Sequence, residues 1–428
     1  MRDLISKLYR GLISRREFSR RLSLMGFGLA TSESILSSVE PVAAASPPKG
    51  EAHGFRFAPY SDKTPYRQWI EGEGVPVHAG YHIPDLRRVP LGPWRRLGTQ
   101  GAHVVLEGAE GTDGAYVCEL PVGGRTTPQR YLFEEVIHVL DGEGETVVWH
   151  DARDKRAFRW SRGALFSPPL NVWREHVNRG SVPARLVAVT DLPIVMDLFH
   201  SAAFIFNNDF VFTDRYGGGE DFFSCGPQRI RKGGTAGVFS GEGGGDIWEC
   251  SFVPDVRTLA LFEAEARGRR NRSAEVQLAD NSLGCHVSEF PVGTYKRGHR
   301  HGPGSHVIPV SGRGYTLLWK DTPRFSEARK QVRVDWSEGS VFVPPDQWFH
   351  QHFNVGDTPA RYLAATWVGG KYFVEGLGGG GRTHRLGTVS VRDGGNGIDY
   401  ADEDPAMRAL FEEELKKSGV PIQMPKRG

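Results

Sequence analysis

The sequence predicts an all-β protein, two tandem β-barrels followed by a short C-terminal helix. Three observations point to this. The chain has 428 residues, more than one ordinary core accommodates, so two domains with extensions is the natural division. Its 54 glycines and 27 prolines, beside 39% hydrophobic residues, fit many turns between short strands rather than a helical bundle. Most telling is an internal repeat. Gly123 to Trp149 aligns without gaps with Gly293 to Trp319, at a constant offset of 170. A second block, at an offset of 176, pairs Gly163 with Gly339, Pro168-Pro169 with Pro344-Pro345, His176 with His352, Asn178 with Asn354, and Pro183-Ala184-Arg185 with Pro359-Ala360-Arg361. Glu145 to Trp149 and Tyr315 to Trp319 read as the corresponding strands, each preceded by a glycine turn.

At the N-terminus, Ser14-Arg15-Arg16-Glu17-Phe18 resembles a twin-arginine export motif. A moderately apolar stretch, Leu22 to Leu36, and Ala43-Ala44-Ala45 follow. Residues 1–45 are therefore expected to be a removable signal peptide. The stretch is short and contains Glu33, unlike a membrane span. The expected location is the periplasm, with the cytoplasm second. The export machinery would be a transient partner, and no stable membrane anchor would remain after cleavage. Residues 46–100 read as an extension, 101–215 as the first barrel, 216–270 as a glycine-rich linker, 271–390 as the second barrel and 391–428 as a tail. The linker run Gly241 to Gly245 lacks the ending of a phosphate-binding loop. In the tail, Asp404 is an N-cap, Pro405 sits at N1, Ala406, Leu410, Phe411 and Leu415 form an apolar stripe, and Gly419 stops the helix. A net charge of +2 gives no reason to expect nucleic acid as a partner. Cys118, Cys225, Cys250 and Cys285 are scattered; they read as buried thiols, with room for one disulfide.

The chemistry concentrates in the second repeat. Gly293, five residues, then His299-Arg300-His301 is followed by Gly339, five residues, Pro345, four residues, His350, three residues and Asn354. This pattern resembles the two signature motifs of the cupin superfamily, and the likeness covers both repeats. It implies two cupin barrels of the jelly-roll type, packed face to face, with homodimers common. His299 and His301, two apart on a strand, share a face, and His350 reaches them from a later strand. Three neutral imidazoles suit one divalent transition metal: iron(II) first, then manganese, zinc, copper or nickel.

The sequence departs from the motif at the carboxylate, where the repeat pairs Ser305 with Glu135. His306, one place beyond, is expected as a fourth ligand or as a catalytic acid–base; a surface histidine is the remaining alternative. Gln347 stands where the motif has glycine and is a candidate pocket residue, as is Trp348. Tyr295 and Arg300 are candidate contacts for an anionic substrate. In the first repeat the ligand positions hold Gln129, Tyr131 and Arg174, so that barrel is expected to be structural. Arg185 and Arg361, matched across the repeats, read as structural too. The resemblance, with no ligating carboxylate, implies a dioxygenase acting on a small oxygenated organic compound, aromatic or diketone-like. An oxygen-independent lyase, decarboxylase or isomerase with His306 as base, and a non-catalytic small-molecule-binding protein, are the alternatives.

Overall fold

A computed structural model describes residues 15–24, 55–109, 111–223, 226–231, 246–302, 304–367, 372 and 389–425. The chain divides into two compact units, Met1–Gly54 and Phe55–Gly428. In the first, Arg15–Leu24 is a helix in which Glu17 pairs with Arg20 (3.0 Å) and Arg21 (2.8 Å). Ala43-Ala44-Ala45 lies outside the described residues, as do the glycine runs at 241–245 and 378–381. Among the described residues no helix is long and apolar enough to cross a membrane.

The second unit holds both barrels. Strands of the first half are β1 (Val77–Gly80), β2 (His82–Ile83), β3 (Gly92–Trp94), β4 (Thr99–Leu106), β5 (Gly114–Leu120), β6 (Glu135–Asp141), β7 (Glu143–Trp149), β8 (Arg156–Ser161), β9 (Leu165–Phe166), β10 (Trp173–Asn178) and β11 (Ala184–Thr190). The second half has β12 (Gln228–Arg231), β13 (Asp246–Cys250), β14 (Phe252–Val253), β15 (Phe262–Glu263), β16 (Arg272–Leu278), β17 (Gly284–Phe290), β18 (His306–Ser311), β19 (Arg313–Trp319), β20 (Gln331–Ser337), β21 (Val341–Phe342), β22 (Phe349–Asn354) and β23 (Ala360–Thr366). The two halves have matching topologies: a large sheet ordered β1-β4-β5-β11-β6-β9 or β13-β16-β17-β23-β18-β21, facing a small one, β10-β7-β8 or β22-β19-β20. This is the expected pair of tandem β-barrels.

Side-chain alternation divides the cores. In β6, Ile137 and Val139 fill the first barrel, whereas Val136 and Leu140 face a core shared by both barrels. That shared core joins Val104, Val117 and Val187 to Val276, Val287 and Leu363, so the large sheets pack face to face.

The stretches read as extension and linker also carry repeat structure. β1 and β13 each run parallel to the first long strand of their own barrel. The next strand then crosses over: β2 pairs with β21 of the second barrel, and β14 with β9 of the first. Two matched turns lock the exchange. Leu86 N–H donates to Gly339 O and Val256 N–H to Gly163 O, both at 2.8 Å. Gly163 and Gly339 have φ of 96° and 89°, and a Cβ there would fall 2.5 Å from Asp255 Oδ1 and 2.7 Å from Asp85 Oδ1. Arg185 holds Glu119 (2.8 Å) and the carbonyls of Leu86 and Arg87; Arg361 holds Glu289 (2.8 Å) and the carbonyls of Val256 and Leu259.

The C-terminal helix spans Pro405–Ser418, with the Asp404 carboxylate accepting from Ala406 N–H and Gly419 closing it at φ 67°. Its buried stripe is Met407, Phe411 and Leu415, one register away from the Ala406 and Leu410 of the expected stripe. Cys118, Cys250 and Cys285 are free thiols, while Cys225 lies outside the described residues.

Candidate metal centre

His299 and His301 lie on the segment that leads into β18, and His350 on β22. One ring nitrogen from each lies within 4.8 Å of the others. His299 and His350 face each other across a backbone bridge, with N–H···O distances of 3.1 and 2.8 Å. The ring centroids are 4.3 Å apart for this pair, 4.9 Å for His301–His350 and 5.3 Å for His299–His301. His299 Nδ1 contacts the Arg297 carbonyl at 3.1 Å and His350 Nδ1 the Trp348 carbonyl at 3.2 Å. With N–H donated there, each Nε2 lone pair is left to face an ion. Burial pushes His350 down to about 4, helped by the charges of Lys296 and Arg267, and holds His299 well below the usual histidine range. Both are therefore neutral at pH 7, the form that ligates. Ser305, at the carboxylate position, is 3% exposed, and its Oγ has no hydrogen-bond partner. The donor set and this orphaned hydroxyl fit a divalent metal with nitrogen ligands.

The other candidates lie elsewhere. His306 is fully buried but does not join the triad: it pairs with Ala365 across β23, and Ala365, Ile308 and Val310 line the core shared by the two barrels. The expectation that it is a ligand or catalytic base therefore fails, because strand alternation turns it away while Ser305 and Val307 share the opposite face. Tyr295 also faces outward. Its hydroxyl donates to Glu403 (2.9 Å), and its ring packs on Phe353 and on Phe411 of the C-terminal helix. Arg300, between two inward histidines, points outward over the Phe349 ring and donates to Asn396 Oδ1 at 3.2 Å. These two anchor the C-terminal tail rather than a substrate. Gln347 is exposed, with its amide on Asp346 (3.3 Å), and takes φ 58° where the motif has glycine. Trp348 is 8% exposed and packs beside Tyr81 and under Lys330.

On the floor of the barrel, sequence reasoning places His352 beside the site in a structural role but misses Lys296, Ser288 and Tyr362. His352, two residues after His350 on the same face, bonds Thr316 Oγ1 through Nδ1 (2.8 Å), and its ring lies 5.4 Å from that of Tyr362. Tyr362 OH accepts from Lys296 Nζ at 2.6 Å, and Ser288 Oγ accepts from the same ammonium at 2.9 Å. Lys296 is 1% exposed. The sequence carries no signal for it, because its partners come from distant strands.

The first barrel replaces the metal site with an internal ion pair. Gln129 and Arg174 exchange the same two backbone hydrogen bonds as His299 and His350. Arg174 Nε lies 3.2 Å from Glu135 Oε1, the guanidinium stacks 3.5 Å over Tyr131, and Tyr116 and Tyr131 hydroxyls donate to Glu135 at 2.8 and 2.5 Å. The carboxylate is held by protein donors, and among the described residues this barrel has no comparable ligand set.

No protein-family model matches the sequence, and no curated relative was found for it. Among solved structures the chain is similar to oxalate decarboxylase from Lactobacillus farciminis in a formate complex (13% identity, TM-score 0.44, covering 81% of this chain and 96% of that one). It is similar also to a variant of oxalate decarboxylase from Bacillus subtilis (11%, TM-score 0.41, 68% and 77%). A third likeness is to vicilin from hazelnut, Corylus avellana (12%, TM-score 0.40, 67% and 86%).

Proposed function

We propose that the chain is a metal-dependent enzyme whose second barrel holds one divalent transition metal, iron(II) in the first instance, on His299, His301 and His350. Its substrate is a small oxygenated organic compound. The observation that carries this reading is the convergence of three imidazoles within 4.8 Å with no carboxylate among them. When bound, the ion supplies Lewis-acid polarisation and open positions for substrate oxygen or O2. The protein's part is to present two neutral, backbone-oriented imidazoles above a buried, hydrogen-bonded floor. The all-nitrogen ligand set favours a dioxygenase. The fully buried Lys296 favours a second, oxygen-independent reading, a lyase or decarboxylase, because its protonated form would stabilise negative charge developing on the substrate; in that reading His306 is not the base. The N-terminal resemblance supports export to the periplasm of a mature chain without a membrane anchor, and the homodimer implied by the barrel resemblance belongs to the same proposal.

The test combines metal analysis of the purified protein with turnover of catechol-, gentisate-, diketone- and 2-oxo-acid substrates in air and under anaerobic conditions. Oxygen uptake coupled to product supports the oxygenase, and undiminished anaerobic turnover supports the lyase. Full zinc loading without reaction with O2 sinks the oxygenase. Absence of any turnover by a fully metal-loaded protein leaves a binding protein.

A further inference from the structure

We propose that the metal pocket takes a small organic anion, with a carboxylate or equally charged oxygen group beside its metal-coordinating oxygen, and that Lys296 receives this charge. The inference rests on the three-histidine metal reading and gives that site a substrate class.

Lysine is rarely fully buried without a carboxylate partner, since an uncompensated ammonium in a dry interior is destabilised by several kcal/mol. Lys296 is 1% exposed, yet its Nζ contacts two neutral hydroxyls, Ser288 Oγ and Tyr362 OH. Among the described residues no carboxylate pairs with it, and the nearby charge it feels is a second cation, Arg267. Burial and Arg267 together push its pKa well below the ordinary lysine range. Arg267 has the carboxylate of Glu275 nearby, but Lys296 has none of its own among the described residues, so in a barrel that also gathers three metal-ligating histidines its charged form lacks an anion. A substrate bound at the ion would supply it.

The internal repeat provides a control. The first barrel has the same fold but no ligand triad. At the positions of Lys296, Ser288, Tyr362 and Arg267 it has Thr126, Cys118, Leu186 and Leu97. The lysine and its hydroxyl cradle are therefore not required by the barrel; they accompany the triad. A merely structural lysine would have no reason to follow the metal ligands.

The test uses full-length protein loaded with cobalt(II), whose visible spectrum reports on the site. Glycolate, pyruvate and salicylate are titrated against their neutral amides. The acids are expected to perturb the spectrum and to bind at least about 10-fold tighter than the amides. In Lys296→Met that preference collapses to within about 2-fold, while the resting cobalt spectrum and stoichiometry stay unchanged; Lys296→Arg keeps part of it. Should Lys296→Met fail to fold, Tyr362→Phe, which removes one hydroxyl from the ammonium, is expected to lower the preference by a smaller factor. Failure to take up cobalt defeats the metal reading itself. Normal cobalt loading with acids and amides indistinguishable, or with the preference intact in both Lys296→Met and Tyr362→Phe, overturns the present inference alone.

Discussion

His299 and His350 exchange backbone hydrogen bonds at 3.1 and 2.8 Å, and Gln129 and Arg174 make the same exchange in the other barrel at 2.9 and 2.8 Å. The backbone frame of the metal site is thus independent of the side chains it carries. His350→Gln is expected to lower bound metal from about one per chain to under a tenth while leaving the barrel folded, because the bridge does not use the imidazole. His306→Gln should leave metal content unchanged. Elemental analysis of both variants checks this, and equal loss in the two would contradict the placement of His306 in the shared core.

Arg174 pairs with Glu135 at 3.2 Å, and both side chains are almost fully buried. Arg174→Met strands the carboxylate with two tyrosine hydroxyls and should destabilise the protein by about 3–5 kcal/mol. Adding Glu135→Gln should restore much of this, with metal content unaffected throughout. Urea unfolding of the single and double variants decides the point; additive losses would count against a paired charge.

Burial pushes His306 down to about 4 from an ordinary value of 6.5. Its folded-state pKa is depressed, so the stability it contributes is fully present above pH 6.5 and declines as the pH falls towards 4, by up to about 3 kcal/mol. His306→Leu should flatten that part of the pH dependence, leaving the parts due to His103 and His138, which are also pushed down to about 4 by burial. Urea midpoints between pH 7.5 and 5 provide the measurement, and an unchanged slope in the variant would refute the assignment.

Arg361 ties the β14 arm to the second barrel through the Val256 and Leu259 carbonyls. Arg361→Ala leaves those carbonyls and Glu289 without their donor and should cost about 2–3 kcal/mol. Thermal unfolding of Arg361→Ala and of Arg185→Ala should show similar drops, because the two arginines make matched contacts. A neutral outcome for either would mean that water replaces the guanidinium.

If the twin-arginine resemblance is functional, Arg15→Lys with Arg16→Lys should hold the full chain in the cytoplasm while leaving its metal site intact. Fractionation with immunoblotting reads this directly, and normal export of the double variant would remove the motif from the account.

The two barrels and the grouping of His299, His301 and His350 were legible because the repeat and the motif spacing reflect strand alternation directly. His306 was misread because its motif position allows three or four residues, and one step along a strand reverses the face. Tyr295 and Arg300 were misread for a related reason: nearness in sequence to a ligand says nothing about side when neighbours alternate. The crossing strands were harder to see. A two-residue strand has no periodicity, although Pro84-Asp85 and Pro254-Asp255, each followed two residues later by Arg87 or Arg257, repeat at the same offset of 170. Lys296 was invisible as a site because Ser288 and Tyr362 reach it only through folding.

The crossing arms also bear on biosynthesis. Arg87 docks on the Glu338 carbonyl, 251 positions downstream. At about 5–20 residues per second, an arm made early waits roughly ten to fifty seconds on the ribosome for its partner strand. The first barrel in turn needs β14, which emerges only after its own last strand. Neither half can close before the other has begun, so a nascent chain carries open sheet edges until synthesis is nearly complete. A chaperone that shields β-edges would act during this interval, before the stability of the finished protein comes into play.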